Sequence, residues 1–254
     1  LSKQHTLRGW LQSAPFTLTM SSGFFSFFAH CGMLSALEDA NLLPRRITGS
    51  SAGALVGVLF AAGCGTQKMK MAMFDLVKKD FWDPRFGLGL LRGDKFRALM
   101  LEQVDITLLE ECLIPVTVSV YDGLARQTRI LDKGPLDMAI YASSAVPFLF
   151  QPGRISGRLC WDGGIADRHG FAGLASDERV FYHHIMSRSP WRGKNSAAMQ
   201  VPERDGLTAL LIEGLPRTGP RKLHLGPAAY GAARQATIRA LDLPLDDGCI
   251  RIQQ

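Results

Sequence analysis

Apolar positions along the chain follow two different rhythms, and the alternation between them predicts the fold. Short β-rich runs read as strands: FTLTM at 16–20, RRIT at 45–48, LIPVTVSVYD at 113–122, RVFYHHI at 179–185 and TALLIEGL at 208–215. Helical patterns lie between them. HTLRGWLQS predicts a short helix before Pro15. In MLSALEDA, Met33, Leu34 and Leu37 share one face, with Glu38 and Asp39 on the other side. ALVGVLFAAG, at 54–63, is apolar all round and predicts a buried helix ended by Gly63 and Gly65. Residues 66–82 predict another helix, with Met69, Met73, Phe74 and Val77 on one side. DPRFGLGLLRG reads as a loop, and Asp94 as the N-cap of KFRALMLEQ.

Farther on, Asp122-Gly123 marks a turn, with RQTRIL returning as a hairpin partner. PLDMAIYASSA predicts a helix that stops before Pro147. RISGRLCWDGG predicts two strand pieces around Ser156-Gly157, and AAYGAARQATIRAL a last helix. The polar stretch 187–206 reads as an exposed loop. Strands alternating with helices imply an α/β protein whose largely parallel sheet is covered on both faces. Ligands in such sheets sit beyond the carboxyl ends of the strands, where loops meet helix N-termini. The loops after the first two strands are therefore the first places to look for chemistry.

Composition narrows the options. At 254 residues and 46% hydrophobic, the chain can bury a sizeable core as a single domain, 1–254. Lys and Arg exceed Asp and Glu by 29 to 23, and the pI is about 9.2. That balance favours anionic partners such as phospholipid headgroups. The basic residues are spread along the chain, which also fits an ordinary solvated surface, and no nucleic-acid-binding motif accompanies them, so nucleic acid is not an expected partner. Five widely spaced cysteines, with no Cys-x-x-Cys, fit reduced thiols rather than a disulfide framework. No His, Cys and carboxylate cluster has metal-ligand spacing, and no cofactor is expected. No apolar run approaches the ~20 residues that a spanning helix needs, so a cytoplasmic or peripheral membrane location is expected.

Gly49-Ser50-Ser51-Ala52-Gly53 fits Gly-x-Ser-x-Gly, with a strand before it and a buried helix after it. A strand that turns sharply into a helix leaves its central serine exposed and strained, and the flanking glycines avoid backbone collisions. Ser51 then stands at a helix N-terminus, where developing negative charge is favoured. Gly57 lies on the same face as Gly53 and would allow close helix–sheet packing. The serine needs a base. His169, His183, His184 and His224 follow it, but none has distinctive surroundings, and His183 and His184 lie in an apolar run that suits structural histidines. Asp162 ends the apolar piece LCW and precedes Gly163-Gly164, so it can be held tightly near a neighbouring loop. By itself, that pattern is also an ordinary Asp-Gly turn.

ITGSSAGALVGVLFAAG, LLRGDKFRALM, ASSAVPFLFQP and WDGG occur in the order and spacing of four segments of one family. Over about residues 16–170 the chain resembles the patatin-like phospholipases. The resemblance implies a three-layer α/β/α sandwich with a central, mainly parallel sheet. It also implies a Ser51–Asp162 dyad without histidine. Ser51 would attack an ester carbonyl, Asp162 would accept or orient its proton, and water would release the acyl-enzyme. The family's oxyanion loop is typically Gly-Gly-Gly-x-Arg/Lys-Gly. Its gap-free match here is SSGFFSFFAHCG, which keeps only Gly23 of the triplet, with Ser22 and Phe24 beside it. Ser26 stands at the basic position and Phe27 at the last glycine.

Oxyanion donors are backbone N–H groups, which Ser and Phe also carry, so a demand for positive φ is what would exclude them. Ser22, Gly23, Phe24 and Phe25 are expected to face the oxyanion, Gly23 first among them. Phe27 and Phe28 are expected to pack, and His30 to be structural. After Asp162, Ile165 to Gly170 depart from the family pattern and suggest no role. The expected function is hydrolysis of carboxylic esters of lipids. The alternatives are a lipid-binding protein on the same fold whose altered loop has lost catalysis, and an acyltransferase using the same dyad. DFWDPRFGLGLL joins Phe81, Trp82 and Phe86 to Lys78, Lys79 and Arg85, as a lid touching an anionic membrane would, and an ordinary loop anchored by its aromatics fits the stretch at least as well.

Overall fold

A computed structural model describes residues 6–186, 199–245 and 248–254. Continuous apolar strands fit a sheet buried on both faces, and a largely parallel, nine-stranded sheet is what forms. Its strands are β1 (Thr17–Met20), β2 (Arg46–Ser50), β4 (Val116–Asp122), β5 (Gln127–Leu131), β7 (Gly153–Ile155), β8 (Arg158–Asp162), β9 (Val180–Ile185), β10 (Leu207–Glu213) and β11 (Cys249–Gln253). The main path runs β11-β10-β9-β1-β2-β4-β8-β7, with β5 paired to β4. From β11 to β4 every pairing is parallel, whereas β5, β8 and β7 are antiparallel. A separate pair joins β3 (Gly89–Leu91) to β6 (Phe148–Phe150).

The helices are α1 (Leu7–Ser13), α2 (Phe27–Asp39), α3 (Ala52–Ala61), α4 (Thr66–Asp75), α5 (Lys78–Phe81), α6 (Asp94–Leu101), α7 (Leu136–Ser144) and α8 (Gly226–Leu241). The main core joins α2, α3 and α8 to one side of the sheet, through residues such as Phe28, Val56, Ala233, Phe181 and Leu210. Alternate residues of β9 and β10, including Tyr182 and Leu211, point the other way and pack against Phe171, Leu174 and Val201. Close approach needs small residues. A Cβ on Gly57 would meet Ile47 Cγ2 at 2.8 Å, as expected for tight helix–sheet packing. A Cβ on Gly32 would lie 2.2 Å from the Tyr230 carbonyl oxygen, where α2 crosses α8.

Several boundaries differ from the sequence reading. Helix α2 starts at Phe27 rather than near Met33, so half of the phenylalanine-rich stretch is helical. Its first turns are buried all round and carry no amphipathic signal. The helix expected over 66–82 breaks at Leu76 and Val77. There the Asp80 carboxylate accepts the Val77 N–H at 2.9 Å, and the Val77 side chain turns outward, 46% exposed. Asp94 is the first residue of α6, one past the cap position held by Gly93 at φ 87°. Asp83 does the capping instead, accepting the Gly93 and Lys95 N–H groups. The loop 83–93 contains β3, and neither β6 nor β11 stands out in the sequence, because each is short and begins next to a loop. Of the loop expected at 187–206, residues 187–198 lie outside the described residues.

Two buried polar groups tie the elements together. Arg46 donates to both carboxylate oxygens of Glu178, at 2.9 and 2.8 Å, and to the Gly173 carbonyl at 2.8 Å. Glu178 also accepts from the Thr17 hydroxyl, so the starts of β1 and β2 share one carboxylate. Deeper in, His30 of α2 meets His183 of β9, Nδ1 to Nδ1, at 2.9 Å. His30 Nε2 reaches the Ser21 carbonyl at 2.8 Å, and a carbonyl only accepts, so Nε2 carries the hydrogen. The neutral ring then accepts at Nδ1, and His183 donates from its own Nδ1. Burial lowers His30 to about 4 and His184 to about 3, and it holds His183 well below the ordinary value.

Two outcomes follow. Gly32→Ala should lower stability by about 1–3 kcal/mol in urea denaturation, although Ala is the better helix former. Groups with depressed folded pKa values give stability that is present above about pH 6.5 and lost on acidification toward the folded values. Unfolding free energy should therefore fall between about pH 6.5 and pH 4. In His30→Gln that slope should be shallower by about 1.4 kcal/mol per pH unit.

Candidate active site

Strand β4 brings the site together. Its edge pairs with β2 as far as Ser50, which lies opposite Ser119. One residue later the same edge passes to β8, with Val120 opposite Asp162. Strand β5 runs along both stretches of β4, so it occupies the other edge. Ser51 leaves the sheet where Asp162 arrives, and the Ser51 hydroxyl donates to Asp162 Oδ2 at 2.7 Å. Both residues are buried, at 7% exposure.

Ser51 adopts φ 53° and ψ −118°, the strained geometry expected where a strand turns into a helix. The glycines beside it follow from backbone approach. A Cβ on Gly49 would sit 2.6 Å from the Ala54 nitrogen, and one on Gly53 would sit 2.1 Å from the Met20 carbonyl oxygen. Ser51 precedes the first residue of α3, so the helix N-terminus faces it. Its own N–H donates to Ser143 Oγ at 2.9 Å, and that hydroxyl donates to the Ser119 carbonyl at 2.7 Å. Helix α7 thus holds the turn against β4.

Asp162 is held on its other side. Its Oδ1 accepts the Gly164 N–H at 2.7 Å. A Cβ on Gly163 would lie 2.1 Å from the Ser119 carbonyl oxygen, and one on Gly164 would lie 2.2 Å from Ser22 Oγ. The two glycines after the carboxylate therefore let it approach a neighbouring loop, and that loop is the phenylalanine-rich one.

Ser21 anchors the loop. Its N–H donates to His183 O, its hydroxyl accepts from Ile185 N–H, and its carbonyl accepts from His30. The Ser22 N–H donates to the Arg168 carbonyl at 2.7 Å. Ser22 was expected among the oxyanion donors, but its amide is committed to the protein and leaves that set. Gly23, Phe24 and Phe25 remain; their amides have no hydrogen-bond acceptor among the described residues. Of residues 21–27 only Phe25 has positive φ, at 56°, and it occupies the variable position of the family loop. Ser22, Phe24 and Phe27, which replace glycines, need no left-handed backbone. Gly23 is small for another reason, since a Cβ there would meet Ser26 Oγ at 2.6 Å.

Gly23, Phe24 and Phe25 open with Ser51 onto one pocket of about 880 Å³, its mouth included. It runs along α3 past Leu55 and Leu59, with Met69 and Met73 of α4 and Met100 of α6 as opposing walls. Phe27 packs as expected and also lines this pocket, whereas Phe28 is fully buried in the core.

His169, His183 and His184 are engaged elsewhere. His183 pairs with His30, while His169 and His184 both bond the Tyr182 hydroxyl, at 2.7 and 2.6 Å. Among the described residues no group of three or more His, Cys, Asp or Glu is arranged to hold a metal ion. No helix among them is long and apolar enough to cross a membrane. Sequence reasoning missed Ser143, Ser119 and Asp167. Asp167 accepts from Ser119 Oγ and from the N–H groups of Phe171 and Ala172. Its nearness to WDGG was the available signal, but its partner on β4 is invisible in sequence.

The chain is 35% identical over 154 residues to an uncharacterised NTE family protein of Mycobacterium bovis, covering 59% of this chain and 42% of that protein. An uncharacterised NTE family protein of Mycobacterium tuberculosis matches at the same identity and coverage. The chain thus spans less than half the length of these curated relatives. VipD from Legionella pneumophila has a similar fold, with a TM-score of 0.66 at 14% identity over 90% of this chain and 67% of that one. The model of the patatin-like phospholipase family matches residues 18–175, which include the serine turn, the phenylalanine-rich loop and Asp162. The chain belongs to the patatin-like phospholipase family.

Proposed function

We propose that the protein is a serine acyl hydrolase that cleaves carboxylic esters of lipids. The observation that carries this reading is the buried 2.7 Å hydrogen bond from Ser51 to Asp162 at the end of an apolar pocket. Asp162 takes the Ser51 proton as Oγ attacks the ester carbonyl. The amides of Gly23 and Phe24, with Phe25 beside them, receive the oxyanion, and the N-terminus of α3 favours its charge. The proton on Asp162 passes to the leaving alcohol, which leaves an acyl group on Ser51. Water then attacks that ester, giving its proton to Asp162, and the acid departs as Ser51 recovers its hydrogen. A carboxylate is a weaker base than imidazole, and close contact in a water-poor site compensates for this. The acyl chain lies along α3, where the walls are aliphatic and aromatic.

The alternative of a lipid-binding protein with lost catalysis rests on the altered loop. The loop conformation argues against it. Its replaced glycines are not at left-handed positions, and its free amides share the pocket with Ser51. Transfer of the acyl group to an alcohol would use the same steps, with the alcohol in place of water, and product analysis separates the two.

Ser51→Ala should abolish ester hydrolysis and labelling by a fluorophosphonate, with mass mapping of the wild-type adduct to Ser51. An adduct elsewhere, or full activity in the variant, would refute the assignment. Asp162→Asn keeps the bond to the Gly164 N–H and should lower kcat by about 10²–10⁴-fold. Ser143→Ala leaves the Ser51 N–H and the Ser119 carbonyl unpaired. It should reduce kcat more than it changes KM, because it shifts the nucleophile rather than the pocket.

A further inference from the structure

We propose that an exposed apolar rim made by Phe86, Leu88, Leu90 and Phe148 docks the protein on an anionic lipid surface. The identity of the delivered substrate rests on the hydrolase reading above; the docking itself does not. Strands β3 and β6 bring the rim together, pairing Gly89 with Phe148 and Leu91 with Phe150. Leu91 and Phe150 point inward, into a satellite core with Phe81 and Tyr141. Leu90 points outward, 48% exposed, and Phe86, Leu88 and Phe148 are 104%, 64% and 79% exposed. Phe148 holds φ at 67°, a costly conformation for a bulky residue, and its ring is left in solvent. The Gln151 side-chain amide donates to the Arg85 carbonyl at 3.3 Å and to the Phe86 carbonyl at 3.5 Å, fixing the loop to the end of β6.

Position and charge select the occupant. Val146 and Phe150, two residues to either side of Phe148, line the pocket that reaches Ser51, so the rim continues the pocket wall. Phe24, 47% exposed, belongs to the same pocket. In the same segment of chain, residues 78–95, Lys78, Lys79, Arg85, Arg92 and Lys95 are exposed. Asp94 pairs with Arg92, and against the remaining cations stand only Asp80, on the Val77 N–H, and Asp83, on the Gly93 and Lys95 N–H groups, so the segment keeps a net positive charge. Exposed apolar side chains on a net positive segment suit a layer of acyl chains under anionic headgroups. Of the three aromatics that the sequence suggested, Phe86 is exposed. Phe81 is buried, and Trp82 is half-buried under the Lys78 ammonium, so neither forms the contact surface.

Vesicle sedimentation of the Ser51→Ala protein tests the proposal without turnover. Binding is expected to phosphatidylcholine vesicles containing phosphatidylserine, weaker without phosphatidylserine and weaker in high salt. Adding Phe86→Ser, Leu88→Ser and Phe148→Asn should lower partitioning at least ~10-fold. With Ser51 restored, the triple variant should hydrolyse a soluble short-chain ester at the parent rate. Equal partitioning of triple variant and parent, or no vesicle binding by the parent, would overturn the proposal. So would a parent dimer that the triple variant converts to monomer, since a second copy would then cover the rim. If rim-dependent binding persists while no ester is hydrolysed, the docking stands and the hydrolase reading falls.

Discussion

The arrangement depends on one edge of one strand. β4 offers that edge first to parallel β2 and then, one residue later, to antiparallel β8. A parallel strand must leave the sheet into a loop or helix, whereas an antiparallel one arrives from the opposite direction. The handover therefore sets the C-terminal end of one strand against the C-terminal end of another. Ser51 and Asp162, far apart in the chain, meet at 2.7 Å because of it. The small residues around them serve that handover. Gly49, Gly53, Gly163 and Gly164 each sit where a Cβ would meet a neighbouring atom at 2.6 Å or less.

The phenylalanine-rich loop shows how a motif can lose its glycines and keep its shape. Glycine is required by positive φ or by lack of room, and the two demands fall on different residues here. Room is short only at Gly23, against Ser26, and positive φ falls on Phe25, at a position that varies in the family. Anchorage comes from buried histidines rather than from a basic residue within the loop. The His183–His30–Ser21 chain joins β9, α2 and the end of β1 without any buried charge, consistent with the lowered pKa values of both rings. The phenylalanines divide the remaining work. Phe28 fills the core beneath α8, where Gly226 makes room for its ring, while Phe24, Phe25 and Phe27 wall the pocket.

Burial also explains where the sequence reading slipped. The start of α2 was hidden because a helix buried on every side has no polar face to set its period. Asp83 caps α6 from ten residues away, and a local rule naturally chose Asp94. Val77 fitted a helical face by spacing, yet Asp80 interrupts the helix just before it could turn inward.

The sequence by itself determined the alternation of strands and helices, the turn at Ser51, the family and the two residues at the centre of the candidate site. Those are properties of local pattern and of residue type at fixed spacing. Tertiary structure alone decided which amides of the loop are free. Ser22 is engaged by Arg168, a residue that carries no recognisable pattern, while its neighbours stay open to the pocket. It also decided which aromatics of the 81–88 segment face solvent, since β3 pairs with a strand some sixty residues away. Hydrogen-bond partners and exposure depend on what the rest of the chain brings alongside, and local sequence does not encode that.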